Sequence, residues 1–210
     1  MAPPRLTLYE MGTSRSARCR WALAECGLEA TFVSAKPGSA EAKAVHPMGK
    51  LPALLIEDDA GGRATIFESA AIVGYVADLA ASLGGDAATP LIAPSGTLAR
   101  AQHEQWVSFA LTELDAWLWH DFVQKFQPDA LESTEQDARL WKRGGAALEA
   151  HLAEHEWVVG DSFSSADCVV GWSVNWARRS GLLEGEPGFP NIAAYLARLL
   201  ERPHCALAKD

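Results

Sequence analysis

Residues 46–52 read HPMGKLP, and the segment FES follows at residues 67–69. A peptide bond before proline, such as Leu51–Pro52, adopts the cis form at a cost of only about 0.5–1 kcal/mol, against about 2.5–4 kcal/mol before other residues. A cis bond here would turn the backbone N–H and C=O of Leu51 outward. These two groups could then pair with an extended peptide in the manner of an added β-strand. This stretch therefore predicts a turn whose backbone binds a peptide-like ligand.

Glu68 and Ser69 stand directly before an apolar run at residues 70–76, which predicts a helix. Ser69 is predicted as the N-cap of that helix, where N–H groups of the first turn have no partner within the helix. A hydroxyl and a helix N-terminus favour a carboxylate. The neighbouring Glu68 carboxylate favours an ammonium group. The pair is therefore expected to hold the zwitterionic end of an amino acid.

A third segment, GTSRSAR at residues 12–18, opens an amphipathic run that ends at Gly27 and predicts another helix. Its hydroxyls lie near the positive end of the helix. A thiol has a pKa of about 8.5, and only its thiolate is a nucleophile. Lowering that pKa by about two units requires about 2.7 kcal/mol, which a hydroxyl donor and a helix dipole can supply together. Ser14 is the predicted donor, with Ser16 and Thr13 as alternatives.

Together these segments resemble the N-terminal domain of the cytosolic glutathione transferases. A second signature, GDSFSSAD at residues 160–167, is similar to the helix cap of that family's C-terminal domain. Ser164 and Asp167 have the spacing of a capping box, with Asp in place of the usual Glu. The resemblance implies an α/β thioredoxin-like N-terminal domain followed by an all-α helical-bundle C-terminal domain.

The resemblance also implies roles for individual residues, with glutathione as the co-substrate. Ser14 is the expected catalytic residue, as in the serine-type members, and Tyr9 is a weaker candidate. Serine rather than cysteine at this position disfavours glutaredoxin-like disulfide chemistry, and His46 replaces the family's usual asparagine. The residues expected to bind glutathione are Leu51, Pro52, Glu68, Ser69 and Lys50.

The function implied by this resemblance is a transferase of the detoxification type, in which the glutathione thiolate attacks an apolar electrophile in an interdomain cleft. The alternatives are glutathione-dependent isomerisation, dehalogenation or peroxide reduction. A binding or scaffold protein without turnover is a further alternative, because a fold does not prove an activity. A homodimer is implied too, and two-fold dimers are the commonest soluble oligomers.

Length and patterning indicate two domains. The chain has 210 residues, of which 49% are hydrophobic, and a concentration of Gly and Pro at residues 83–96 separates a mixed pattern from a helical one. We expect a glutathione-binding domain over residues 1–83, a linker over 84–96 and an all-helical domain over 97–210. The last is expected to begin with a long helix from about Thr97 to Phe126.

Composition argues against several other classes of protein. A net charge of −9 without a basic cluster disfavours a nucleic-acid partner. The sequence has no apolar run of the ~20 residues that a membrane span needs, and its first residues do not read as a signal peptide, so we expect a cytoplasmic protein. Neither a metal site nor a disulfide scaffold is expected from the spacing of the cysteines. These are Cys19, Cys26, Cys168 and Cys205.

Overall fold

A computed structural model describes residues 3–84, 90–126, 134–185 and 188–207. The chain divides into two compact units, the first formed by Met1–Ala93 with Pro203–Ala208 and the second by Pro94–Arg202 with Lys209–Asp210. The boundary at Ala93 and Pro94 falls inside the predicted linker of residues 84–96, of which residues 85–89 lie outside the described part of the chain.

The first unit is built on a four-stranded mixed sheet with the order β2-β1-β3-β4. Strand β1 pairs with β2 in parallel and with β3 antiparallel, and β3 pairs antiparallel with β4. Leu6 and Leu8 alternate with less buried neighbours along β1, as a strand with one face on a core requires. The strands are β1 Arg5–Glu10, β2 Thr31–Ser34, β3 Ala53–Glu57 and β4 Arg63–Phe67.

The helices of the first unit are α1 Ser16–Glu25, α2 Ala40–Val45 and α3 Ser69–Leu83. Helix α1 packs against α3. Its end is the one predicted from the sequence, since Gly27 adopts a φ of 63° and the N–H of Leu28 returns to the carbonyl of Leu23 at 3.0 Å.

The helices of the second unit are α4 Leu98–Phe109, a π-helical segment Ala110–Asp115, α5 Ala116–Phe126, α6 Thr134–Leu152, α7 Ser165–Arg179 and α8 Pro190–Glu201. The long helix expected from Thr97 to Phe126 is confirmed, with Thr97 as its N-cap. The π-helical turn inside it was not predicted. Opposite that turn, a Cβ on Gly144 would lie 2.7 Å from the carbonyl oxygen of Glu113, so only glycine allows α6 to come this close.

Helix α7 is the most buried helix of this unit, with twelve of its fifteen residues buried. The predicted capping box at its start is confirmed, since Asp167 accepts from the backbone N–H of Ser164 at 2.8 Å. The same carboxylate accepts from the hydroxyl of Tyr195 at 2.8 Å and from the N–H of Val158 at 3.2 Å. Burial raises the pKa of Asp167, and these donors oppose the rise.

Candidate functional site

One row of the sheet brings the three sequence motifs to the same edge. Tyr9 at the end of β1 lies opposite Ala53 at the start of β3, and Ala53 lies opposite Phe67 at the end of β4. The chain continues from these three positions into the loop before α1, back into the Leu51–Pro52 turn, and on into the Glu68–Ser69 helix start. Segments far apart in sequence therefore leave the sheet side by side.

Ser14 lies in the loop before α1, two residues ahead of the first helical residue. Its half-buried hydroxyl donates to the Oγ of Ser16 at 3.1 Å and accepts from the N–H of Ser16 at 3.3 Å. Ser16 has no exposed surface, and its Oγ also accepts from the N–H of Met11 at 3.1 Å. This arrangement places Ser14, rather than Ser16, toward solvent at the helix start.

The Leu51–Pro52 peptide bond is cis, as expected from the sequence. Neither the N–H nor the C=O of Leu51 makes a hydrogen bond within the described residues. Both groups precede the first ladder pair of β3, so each is available to a ligand.

At the start of α3, the structure corrects one expectation. Ser69 is the first helical residue and Glu68 is the N-cap, whereas the sequence predicted Ser69 as the N-cap. Glu68 adopts a φ of 69°, in the left-handed region that non-glycine residues rarely occupy. Its side chain is exposed, while Ser69 is only 4% exposed. No side chain caps the helix, so the N–H groups of its first turn have no side-chain acceptor.

Arg18 is the residue at this site that sequence reasoning missed. In the structure Arg18 is fully buried, and its Nη1 donates to the Oγ of Ser69 at 3.1 Å. The thiol of Cys19 reaches the carbonyl oxygen of Ser69 at 3.7 Å. Two consecutive residues of α1 therefore hold Ser69.

Lys50 and His46 both belong to the HPMGKLP turn but differ in their exposure to solvent. Lys50 is exposed at the end of the turn. His46 is 5% exposed, its Nδ1 accepts from the N–H of Met48 at 3.0 Å, and its ring lies 4.8 Å from that of Phe67. His46 therefore stabilises the turn from within.

The two thiols of the α1 segment are poor nucleophiles. Burial raises the pKa of Cys19 far above its ordinary value, and burial beside Glu25 raises the pKa of Cys26 to about 12. Both thiols stay neutral near pH 7. A thiolate at this site would have to come from a ligand.

Two groups of aromatic residues lie on the second unit. A groove of about 320 Å³ is lined by Phe109, Glu113, Trp117, Leu140, Arg143, Gly144 and Ala147. Elsewhere on α5, Trp119 and Phe122 are 46% and 42% exposed, with ring centroids 5.7 Å apart, and Phe122 meets Trp176 of α7 edge-on at 6.2 Å.

The described residues contain no group of three or more His, Cys, Asp or Glu side chains placed to hold a metal ion. None of their helices is both long enough and apolar enough to cross a membrane.

Comparison with known families decides the assignment. The model of the glutathione S-transferase N-terminal domain matches residues 4–78, and that of the glutathione S-transferase C-terminal domain matches residues 132–198. The chain belongs to the glutathione S-transferase family. The predicted fold, a thioredoxin-like domain followed by a helical domain, is thereby confirmed.

Individual relatives agree with this assignment. Glutathione S-transferase GstA of Escherichia coli O157:H7 is 32% identical over 163 residues, which cover 76% of this chain and 72% of that protein. A glutathione transferase family member from Pseudomonas fluorescens, solved with two glutathione molecules bound, superimposes with a TM-score of 0.81 at 26% identity over 98% of this chain and 92% of that one. Elongation factor 1-gamma of Prunus avium is 30% identical over 76% of this chain, but this covers only 36% of its own length.

Proposed function

We propose that this member of the glutathione S-transferase family binds glutathione at the sheet edge of its first unit and activates the glutathione thiol for attack on an apolar electrophile. The observation that supports the proposal is the row Tyr9–Ala53–Phe67, from which the segments that contain Ser14, Leu51 and the Glu68–Ser69 pair leave the sheet. The glutathione molecules bound in the P. fluorescens relative support the choice of ligand.

Each segment of the site meets a different part of the tripeptide. The N–H and C=O of Leu51 pair with the backbone of the cysteine residue of glutathione. The cis bond to Pro52 orients these two groups for that pairing. Ser69 and the start of α3 receive the carboxylate of the γ-glutamyl group, and Glu68 receives its ammonium group. Lys50, exposed at the end of the turn, meets the carboxylate of the glycine residue.

Ser14 provides the donor for the thiolate. The Oγ of Ser14 accepts from the N–H of Ser16, and the Ser16 hydroxyl can reverse its bond and donate to Ser14 as well. The single hydrogen of the Ser14 hydroxyl is then available to donate to the ligand sulfur. One charge-assisted hydrogen bond and the N-terminus of α1 favour the thiolate, which the bound electrophile meets at high effective concentration.

The experiment is an ultraviolet titration of the thiolate of bound glutathione in the wild type and Ser14→Ala. In the wild type we expect thiolate to form well below the free thiol pKa of about 8.5. In Ser14→Ala the pKa of the bound thiol should rise by at least about one unit, while glutathione still binds. Thr13→Ala removes a neighbouring hydroxyl and is the matched control.

Other outcomes have defined meanings. A thiolate that survives in Ser14→Ala but is lost in Ser16→Ala, Thr13→Ala or Tyr9→Phe would assign the donor to that residue instead. Thiolate formation with no transfer to aryl halides, epoxides or enals, but with turnover of an isomerisable, halogenated or peroxide substrate, would favour an isomerase, dehalogenase or peroxidase. Net consumption of glutathione distinguishes transfer from isomerisation.

A non-catalytic binding or scaffold protein is the second candidate. It is favoured by the matches to elongation factor 1-gamma proteins, whose name denotes a role other than glutathione transfer. This candidate predicts no thiol-dependent turnover in the same assays. Failure of glutathione to bind to the wild type would make it the leading one.

The remaining parts of the proposal are the domain limits 1–83, 84–96 and 97–210, a homodimer, a role in detoxification and a cytoplasmic location. Two-fold symmetry is the commonest arrangement of soluble oligomers. Light scattering of the purified protein, which gives its molar mass in solution, tests whether the chain forms a dimer. The net charge of −9 supports the prediction that the protein does not bind nucleic acid.

A further inference from the structure

The guanidinium group of Arg18 is buried next to the proposed site. Arginine is almost never fully buried in proteins unless it is paired, because removing its charge from water is costly. Arg18 has no exposed surface, and its Nη1 donates to the Oγ of Ser69 across 51 positions of sequence. This buried charge therefore contacts the hydroxyl that the proposed function assigns to the carboxylate of glutathione.

The direction of the hydrogen bond matters for the chemistry of Ser69. A hydroxyl has one hydrogen to donate and two lone pairs to accept with, whereas a guanidinium can only donate. The Oγ of Ser69 must therefore accept from Arg18, at 3.1 Å. Its own hydrogen is left for a different acceptor, and a donor whose oxygen already accepts from a cation is polarised and strengthened.

The position of Ser69 at the start of α3 also favours an anion as its ligand. Ser69 is the first residue of α3, where the N–H groups of the first turn also act as donors. The thiol of Cys19 holds its carbonyl at 3.7 Å, so the residue is fixed from the side of α1 at two atoms. Every group presented by Ser69 to a ligand is then a donor, backed by a positive charge.

We propose that Arg18 is a positioning residue that holds the Ser69 hydroxyl as a donor to the α-carboxylate of the γ-glutamyl group of glutathione. This inference rests on the proposed function. It assigns the specificity of the site for an anion to a residue that does not touch the ligand and acts through Ser69.

The experiment compares two ligands by calorimetry: glutathione, and γ-aminobutyryl-cysteinyl-glycine, which keeps the amine and lacks only that carboxylate. In Arg18→Met we expect glutathione to bind about 10-fold more weakly, the size of one lost charge-assisted hydrogen bond. Binding of the analogue should change by less than about 2-fold, because it has no carboxylate for Ser69 to recognise. Arg18→Lys should recover part of the loss.

A double-mutant cycle tests whether Arg18 acts through Ser69. In a Ser69→Ala background, Arg18→Met should weaken glutathione binding by less than about 2-fold, since the hydroxyl it positions is absent. Arg20→Met is the matched control: Arg20 lies on the same helix, is 36% exposed and pairs with Glu10, so both ligands should bind as in the wild type.

Several results would overturn the inference. Equal weakening of both ligands in Arg18→Met would mean that Arg18 only supports the fold, and a full 10-fold loss in the Ser69→Ala background would mean that it acts independently of Ser69. If Arg18→Met does not fold by circular dichroism, the cycle is run with Arg18→Lys and judged on the same ratio of the two ligands. Absence of glutathione binding to the wild type would contradict the proposed function itself, which is a different result.

Discussion

The starts of α3 and α7 differ in how their polar groups are used. At α7, the carboxylate of Asp167 accepts from the N–H of Ser164, the N–H of Val158 and the hydroxyl of Tyr195. At α3, no side chain caps the helix, and Glu68 adopts a positive φ. The first start is closed within the protein, whereas the second leaves its donors open.

This difference separates a cap that stabilises the fold from one that serves a ligand. A buried polar group costs free energy unless it is hydrogen-bonded, so the closed start of α7 stabilises the second unit. The open start of α3 keeps donors unsatisfied and a residue in a disfavoured conformation, which is typical of binding sites. Substitutions at the two starts should therefore affect different quantities.

The largest expected effect is at the closed start. Asp167→Ala leaves four donors without their acceptor, which are the N–H groups of Val158 and Ser164 and the hydroxyls of Ser164 and Tyr195, each at a cost of about 1–3 kcal/mol. We expect the free energy of unfolding in urea to fall by about 3 kcal/mol or more. Asp161→Ala, an exposed carboxylate in the same loop, is the matched control and should change it by less than about 0.5 kcal/mol. Equal stability of the two variants would contradict the closed cap.

The reciprocal substitution at the open start is Ser69→Ala. Here the dissociation constant of glutathione should rise about 10-fold, because one donor to its carboxylate is lost. The free energy of unfolding should also fall, by about 1–3 kcal/mol, since the buried guanidinium of Arg18 loses an acceptor. Ser82→Ala, at an exposed serine of the same helix, should leave binding unchanged. A variant that loses stability but keeps its affinity would make Ser69 a structural residue.

These two starts also show what the sequence could reveal. The capping box at Ser164 and Asp167 is a local pattern, and local patterns are legible in one sequence. The assignment of Ser69 as N-cap was wrong by one residue, because Glu68 adopts a positive φ, which its residue type does not predict. The position of Arg18 was not predicted, because its contact with Ser69 depends on how α1 packs against α3.

The convergence of the three motifs was predictable in outline, while its details were not. Two of the motifs open predicted helices and the third is a predicted binding turn, which suggested one site, but the row Tyr9–Ala53–Phe67 depends on strand pairing that a single sequence does not specify. The π-helical segment Ala110–Asp115 has the same limitation: its residues read as ordinary helix, and Gly144 of a different helix permits the close approach there.

A smaller effect is expected from relieving the backbone at the open start. Glu68→Gly removes the side chain from a residue with a φ of 69° and should raise the free energy of unfolding by up to about 1 kcal/mol. The same change removes the carboxylate expected to hold the ammonium group, so glutathione affinity should fall. Glu68→Gln keeps the conformational cost and removes only the charge; it should lose affinity without gaining stability. A gain in stability by both variants would mean that the carboxylate, not the backbone, is unfavourable.

The smallest effect concerns pH at the closed start. The carbonyl of Val158, whose N–H binds Asp167, accepts from Nε2 of His151 at 3.2 Å. Burial and the neighbouring His155 lower the pKa of His151 below its ordinary value of about 6.5. Near that pH the unfolded chain binds more protons than the folded one, so this contribution to stability is present above about pH 6.5 and is lost as the pH falls.

His155→Gln tests this dependence by removing the neighbouring imidazole, whose ring centroid lies 4.4 Å from that of His151. The melting temperature should then fall less between about pH 7.5 and about pH 5.5 than it does in the wild type, because His151 gains its proton with less repulsion. His204→Gln, an exposed histidine of the first unit, should keep the wild-type dependence. Identical slopes for His155→Gln and wild type would place the pH sensitivity outside the His151–His155 pair.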